Sequence, residues 1–328
     1  MTKKYALLYL FAFFLFSKPV IADWHTFNSV AMTTPISLVF WVEDEQKAQR
    51  ISTEVFAEFD RIEQQMSRYI ERSELSFINR HAYEKPVEVS NSLYKVLKAA
   101  MNISYLSEGA FDITFASVGF MYDFRERRQP LKADLESNLP LFHFQNVRLD
   151  DEKQTINFKK KGTLIDLGGI AKGYAVDQGV AILKRQGVEY AHLSAGGDMR
   201  LLGDKKGSPW IIGIRNPRDE SKQSIVLPLT NTAISTSGDY ERFFMNEKGE
   251  RIHHILSPKT GKPVKGMRSV TVLANDSMTS DGLSTAVFVL GAKEGLKLIN
   301  QLAGIDAILI DEQGKVHYSE GLMRPSVN

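Results

Sequence analysis

From Tyr190 to Leu273 the chain reads as one strand after another. Tyr190–Leu193, Trp210–Arg215, Ser224–Leu229, Ala233–Thr236 and Ser269–Leu273 are short apolar runs with no helical pattern between them. The helical patterns lie elsewhere. Over Asp44–Tyr69, Ile51, Val55, Phe59, Ile62 and Met66 recur at spacings of three and four, which predicts a long amphipathic helix. Ser90 is placed to cap a second helix carrying Leu93, Val96, Leu97, Ala100 and Met101 on one face, with Gly109 beyond its end. Ile170–Gln186 reads as a third, closed by Gly187, and Ser280–Leu290 and Ala292–Leu302 as two more. A strand over Ile36–Val42, a hairpin of Asn146–Leu149 with Thr155–Phe158, and a closing pair at Ala307–Ile310 and Val316–Tyr318 complete the pattern. Clustering of this kind predicts an α+β fold of mixed sheets and helices, not a doubly wound sheet. No glycine-rich dinucleotide fingerprint follows a strand, which also counts against a Rossmann domain.

The first 22 residues belong to a different pattern. Lys3 and Lys4 precede an apolar run from Tyr5 to Phe16, and Val20-Ile21-Ala22 offers a small-residue cleavage site. This is the layout of a secretory signal peptide, with an uncleaved N-terminal anchor as the alternative. The run covers 12 residues, whereas a membrane-spanning helix needs about 20. Cleavage after Ala22 would leave residues 23–328 and remove three lysines. Lys+Arg then falls from 41 to 38 against 39 Asp+Glu, so a formal charge of +2 becomes −1. Near-neutral charge excludes a protein whose main work is coating nucleic acid. The chain has no cysteine. That excludes a disulfide framework, a thiolate nucleophile, Cys-based metal sites and a lipobox lipid anchor. The expected product is a soluble, exported protein without a lipid anchor.

Four segments hold more glycine, small polar residues and isolated charge than a core requires. The first, Asp166-Leu-Gly-Gly-Ile-Ala-Lys172-Gly, opens the third helix. Glycines allow close backbone approach to an anion, and a helix start presents unpaired N–H groups to it. The alternative is a tight strand-to-helix turn with Lys172 in solvent, and the spacing is not that of a Walker loop. The second, Ser194-Ala-Gly-Gly-Asp198, reads by itself as a turn or bulge. The third runs from Ala233-Ile-Ser-Thr-Ser-Gly238-Asp-Tyr240 to His253-His254-Ile-Leu-Ser-Pro-Lys-Thr-Gly261. A histidine there could act as a base near neutral pH. Neighbours on a strand point to opposite faces, so one metal would rarely take both histidines. The fourth is Thr279-Ser-Asp281-Gly-Leu-Ser284-Thr285. Asp281 and Thr285, four apart on a helix, share one face. One carboxylate with hydroxyl and carbonyl oxygens suits Mg²⁺. Simple capping by Thr279 or Ser280, with Asp281 complementing the dipole, is the commoner use of such residues.

In this order, and with Ala31-Met32-Thr-Thr34, Met66-Ser-Arg-Tyr69, Ser73-Glu-Leu-Ser-Phe-Ile-Asn79 and Gly109-Ala-Phe-Asp112-Ile-Thr114 ahead of them, the segments resemble the FAD:protein FMN transferase family of ApbE-type flavin transferases. The resemblance spans nearly all of residues 23–328 and implies one catalytic domain there. It implies a T-fold-like arrangement of two lobes around a flavin cleft. It implies Mg²⁺-dependent cleavage of the FAD pyrophosphate, attachment of FMN to a Thr or Ser of a target protein, and release of AMP. Carried over residue by residue, the flavin contacts would be Met32, Tyr69, Ala110, Phe111, Asp112, Asp166, Lys172 and Leu256. The metal ligands would be Gly169 through its carbonyl, Asp281, Ser284 and Thr285. His254 would be the base, or a catalytic helper near the phosphoryl groups. The implied partner is an acceptor flavoprotein domain of a membrane redox complex.

Three positions depart from the family pattern. Many relatives carry Asp where Ser257 stands, several carry a second Asp where Ser284 stands, and the stretch after Thr114 lacks a usual Pro-Leu. The loss at Ser284 implies a metal site with one carboxylate fewer. Two other readings stand beside transfer. One is a Mg²⁺-dependent FAD pyrophosphatase, with water replacing the acceptor hydroxyl. The other is a periplasmic flavin-binding protein without turnover.

Overall fold

The computed structural model describes residues 23–323, so the expected signal peptide over 1–22 lies outside the described residues. Strands β1 (Asp23–Ala31) and β2 (Thr34–Val42) form a hairpin closed by the pair Ala31↔Thr34. Only β2 was legible in the sequence. The large apolar residues of β1, at Trp24, Phe27 and Val30, recur every third position and hide the alternation of an edge strand.

Asp44 caps helix α1 (Glu45–Met66) by accepting the N–H of Lys47 at 2.6 Å. The buried face of α1 is the expected one, from Ile51 through Val55, Phe59 and Ile62 to Met66. The helix stops three residues before Tyr69 because Ser67 turns to extended geometry (φ −82°, ψ 124°). Tyr69 thus stands in the following turn. Helix α2 (Glu74–His81) starts at Ser73, whose hydroxyl caps the N–H of Ser76. It is only eight residues long and was not anticipated.

Next come β3 (Val87–Glu88), α3 (Asn91–Leu106), α4 (Ala116–Gly119), α5 (Lys132–Asn138), β4 (Val147–Asp150) and β5 (Thr155–Phe158). The three short strands make a small sheet in the order β3-β5-β4. Helix α6 (Ala171–Arg185) leads into β6 (Ala191–Ala195) and β7 (Asp198–Leu202), then β8 (Trp210–Asn216), β9 (Asp219–Leu229) and β10 (Ala233–Gly238). A short ribbon of β11 (Phe243–Met245) and β12 (Arg251–His253) precedes β13 (Met267–Ala274). Helix α7 (Ser277–Asn300), β14 (Asp306–Asp311), β15 (Val316–Tyr318) and α8 (Glu320–Met323) finish the described chain. The two helices expected over 280–302 are the two halves of α7, separated where expected by Gly291, whose φ of 78° breaks the helical run.

The main sheet has eight strands in the order β1-β2-β6-β7-β10-β13-β14-β15. Every neighbouring pair is antiparallel, as an α+β architecture requires. Helices α1, α6 and α7 pack on it, and Phe40, Phe59, Phe288, Leu38 and Ile51 are fully buried in the core between them.

Helices α6 and α7 cap each other. The Gly173 N–H, in the first turn of α6, donates to Asp281 Oδ2 of α7 at 3.0 Å. The N–H groups of Ser277 and Met278, at the start of α7, donate to the Asp177 carboxylate of α6, each at 2.9 Å. First-turn N–H groups have no partner inside their own helix, so these carboxylates satisfy donors that burial would otherwise leave unpaired. The helices approach so closely that a Cβ on Gly173 would collide with the Ser277 carbonyl and lie 2.8 Å from Asp281 Cβ. Two hydroxyl pairs then fix α7 on β10, Ser235 with Ser280 at 2.8 Å and Ser237 with Ser284 at 2.7 Å. Two residues of strand advance ~6.8 Å and four of helix ~6 Å, so the pairs repeat in step.

Gly173→Ala should therefore destabilise the protein by about 3 kcal/mol or more, because the obstacle is backbone and cannot rotate aside. Urea denaturation checks this, and an unchanged midpoint would refute the tight junction.

Candidate functional site

A cavity of about 590 Å³ opens where the β1–β2 turn, the end of α1, the 110–124 segment, the α6 start, the β10–β12 region and α7 converge. That volume suits a small-molecule ligand. All of the expected site residues line it except Ser284: Met32, Tyr69, Ala110, Phe111, Asp112, Asp166, Gly169, Lys172, His254, Leu256, Asp281 and Thr285.

One wall is the turn between β1 and β2. Met32 (φ 52°) and Thr33 (φ 59°) are both left-handed, which makes it a type I′ hairpin turn. Such turns normally use Asn and Gly, and a β-branched residue there is strained. Neighbours hold it. Met32 N–H donates to Glu63 Oε2 at 2.8 Å, and Arg242 donates to Thr33 Oγ1 at 3.3 Å. Tyr69 stands at the mouth with 71% of its surface exposed. The Arg68 guanidinium lies between its ring, at 4.1 Å, and that of Phe120, at 3.1 Å. A flat ligand would find aromatic and thioether surface here.

Asp112 caps the turn at Ile113–Phe115, accepting both the N–H and hydroxyl of Thr114 at 2.8 and 2.7 Å. Burial pushes its carboxyl up to about 6 despite those bonds. Asp166 accepts the Gly168 N–H at 2.7 Å and pairs with Arg68 at 3.0 Å. Burial raises it too, against the pull of Gly168, Arg68 and Arg242.

The Lys172 ammonium is not in free solvent. It pairs with Asp198 and lies 3.9 Å from Asp281. Burial opposes its charge, but the Asp198 and Asp281 carboxylates outweigh burial and hold it above the ordinary lysine range. Asp198 is 2% exposed and closes the Ala-Gly-Gly-Asp turn that by itself read as an ordinary turn. Its signal in the sequence was its place in that block.

Asp281 is 4% exposed and does not cap its own helix, because Asp276 does so by accepting the Thr279 N–H at 2.8 Å. That corrects the capping alternative for Thr279, Ser280 and Asp281. Burial and then Asp198 push the Asp281 carboxyl upward, with Lys172 opposing. Gly169 packs against Thr285, whose Oγ1 would lie 3.5 Å from a Cβ on the glycine. Ser284 sits behind this group and is 1% exposed. Its hydroxyl donates to the Asp281 carbonyl at 2.8 Å and pairs with Ser237, which answers to the helix–strand seam. Among the described residues no group of three or more His, Cys, Asp or Glu side chains is placed to hold a metal. The Asp281, Thr285 and Gly169 oxygens fit a hard dication in type.

The two histidines divide as strand neighbours should. His253 is 3% exposed, with Nε2 2.8 Å from the Val264 carbonyl and Nδ1 accepting the Ile255 N–H at 3.3 Å. Its ring meets Phe288 edge-on at 5.7 Å. His254 faces the cavity. Its Nδ1 lies 3.4 Å from the Arg242 carbonyl, which only accepts, so Nδ1 carries the proton and Nε2 the lone pair. Burial, then the neighbouring His253, push the His254 imidazole down to about 4; the Arg242 carbonyl opposes this, and the Arg242 and Lys172 charges add to it.

A profile of the ApbE family matches residues 32–309. A Klebsiella pneumoniae FAD:protein FMN transferase is 32% identical over 290 residues, covering 87% of this chain and 89% of its own. A Vibrio cholerae protein of the same name is 34% identical over 283 residues, covering 84% of each. The crystal structure of the Thermotoga maritima ApbE protein superimposes with a TM-score of 0.83 at 35% identity, covering 92% of this chain and 98% of that one. This chain belongs to the ApbE family.

His253→Ala should cost roughly 2–4 kcal/mol by leaving a cavity and an unpaired carbonyl. His254→Ala should cost under about 0.5 kcal/mol in urea denaturation at neutral pH; the reverse order would overturn the division of roles. In an NMR titration, the imidazole signal missing from the His254→Ala variant should have its midpoint near 4. Unfolded histidine takes its proton near 6.5, so this group withdraws stability as pH falls across that window. A midpoint at the ordinary value would remove the burial argument.

Proposed function

We propose that this ApbE-family chain transfers FMN from FAD to a Thr or Ser hydroxyl of an exported flavoprotein domain, in a Mg²⁺-dependent reaction that releases AMP. The observation that carries the reading is one cavity uniting a neutral His254, the Lys172–Asp198–Asp281 charge group and an exposed Tyr69. The acceptor oxygen would attack the FMN-side phosphorus. A P–O phosphoester bond forms, the anhydride P–O bond breaks, and its electron pair leaves with AMP. His254 Nε2 would take the acceptor proton, which requires the unprotonated ring that burial maintains. Met32, Tyr69, Ala110, Phe111 and Leu256 would seat the flavin, with Asp112 and Asp166 beside it. Lys172, fixed by two carboxylates, would be held in one place near the phosphates with no reorganisation during the reaction.

Asp281, Thr285 and the Gly169 carbonyl would hold Mg²⁺, with substrate phosphate oxygens completing the shell. When bound, the ion supplies charge neutralisation on the anhydride and the departing phosphate. Ser284, in place of the second carboxylate of several relatives, would support Asp281 from behind. The charged start, short apolar run and Ala22 cleavage site favour a periplasmic location. The acceptor would then be a domain exposed there, such as part of a membrane redox complex.

Incubating residues 23–328 with FAD, Mg²⁺ and a candidate acceptor domain should add the mass of FMN to the acceptor and release AMP. Free FMN without a mass change would establish hydrolysis instead, and no AMP under any metal or acceptor condition would refute both reactions. Asp281→Ala should abolish metal-dependent AMP release. His254→Ala should retain FAD binding while lowering transfer by about 10²-fold or more; undiminished transfer would take His254 out of the mechanism.

A further inference from the structure

Three Lys or Arg side chains line the cavity, and two of them are already matched by carboxylates. Lys172 is paired with Asp198 beside Asp281, and Arg68 with Asp166. The third, Arg242, has no carboxylate within ion-pair distance among the described residues. Among the described residues its one side-chain hydrogen bond is the 3.3 Å contact to the Thr33 hydroxyl. A guanidinium has five N–H donors arranged to grip phosphate oxygens in pairs, so most of this group's binding capacity is unspent.

Its backbone is engaged with the base. Arg242 precedes β11 and His254 follows β12, and the pairing Phe243↔His253 makes them the next pair at the cavity end of the ribbon. The Arg242 carbonyl accepts the His254 N–H at 3.2 Å and faces His254 Nδ1 at 3.4 Å. Main chain and side chain thus do separate things. The carbonyl fixes which ring nitrogen carries the proton, and no substitution at Arg242 removes it.

We propose that the Arg242 guanidinium is a phosphate-binding group of this cavity, taking the anhydride oxygens of the dinucleotide substrate. The assignment rests on the flavin-transferase reading and deepens it. Arg242 would place the phosphate and the base through one residue, so that their spacing depends on one short ribbon. The alternative is a purely structural role, with Arg242 steadying the strained Met32–Thr33 turn through Thr33.

Flavin fluorescence titrations separate the two. FAD carries the anhydride, and riboflavin carries the same ring without phosphate. In Arg242→Gln, which keeps a donor for Thr33, FAD affinity should fall about 10- to 100-fold while riboflavin affinity stays within about twofold. Arg242→Lys should recover part of the FAD affinity, as a point charge without the paired geometry. Arg242→Ala should resemble Arg242→Gln. Equal losses for riboflavin and FAD, or unchanged FAD affinity in Arg242→Gln, would overturn the proposal. Absence of AMP release by the wild-type protein would refute the transferase reading instead, and the contrast between the two ligands would still decide the arginine assignment.

Discussion

The start of each of two helices is satisfied by a carboxylate from the other, and the rest of the site depends on that exchange. Asp281 accepts from Gly173, and Asp177 accepts from Ser277 and Met278. Neither helix could move along the other without stranding buried N–H groups, a cost of about 1–3 kcal/mol for each group left unpaired. The same contact delivers Lys172, one residue before Gly173, beside Asp281. A packing requirement and a chemical requirement thus converge on one carboxylate, whose Oδ2 serves the helix and whose Oδ1 lies 3.9 Å from the ammonium.

The charges around the cavity are arranged so that their number exceeds their net value. Lys172 is matched by acids, Arg68 by Asp166, and His254 is kept neutral by burial. Fixed charges that are already paired cannot swing toward solvent when a ligand arrives, which is the condition for electrostatic work at little reorganisation cost. Ser284 belongs to this frame. Its bonds to Ser237 and to the Asp281 carbonyl tie the acidic turn of α7 to β10, so the carboxylate is supported by neutral hydroxyls.

Much of this was legible in the chain. Residues with strong periodicity announced themselves: the face from Ile51 to Met66 in α1, the Gly187 stop after α6, and the closing strands. Motif order brought together the cavity residues that long sequence separation hides, since Met32 and Thr285 gain meaning only as parts of one pattern. What stayed hidden was decided by tertiary contact. Nothing local marks Met32–Thr33 as a type I′ turn, because neither residue favours it and Glu63 and Arg242 hold it. Capping by Asp276 was obscured by a run of hydroxyl residues equally suited to the task. Asp177 and Arg242 show their roles only when partners from distant segments arrive.

The proposed base and the metal-side oxygens sit on very different supports. Asp281 and Thr285 belong to a long helix seated on an eight-stranded sheet, whereas His254 extends from a ribbon whose strands are three residues each. Isolated two-stranded ribbons are marginal by themselves, and this one leans on the rest of the protein through His253, which bonds Val264 and packs on Phe288. The catalytic half that would meet a bulky folded acceptor is therefore carried on a short cantilever. The half that would hold the metal ion is built into the foundation. Sequence change in the ribbon would thus reach the proposed base and Arg242 together, while the metal-side oxygens, anchored elsewhere, keep their places.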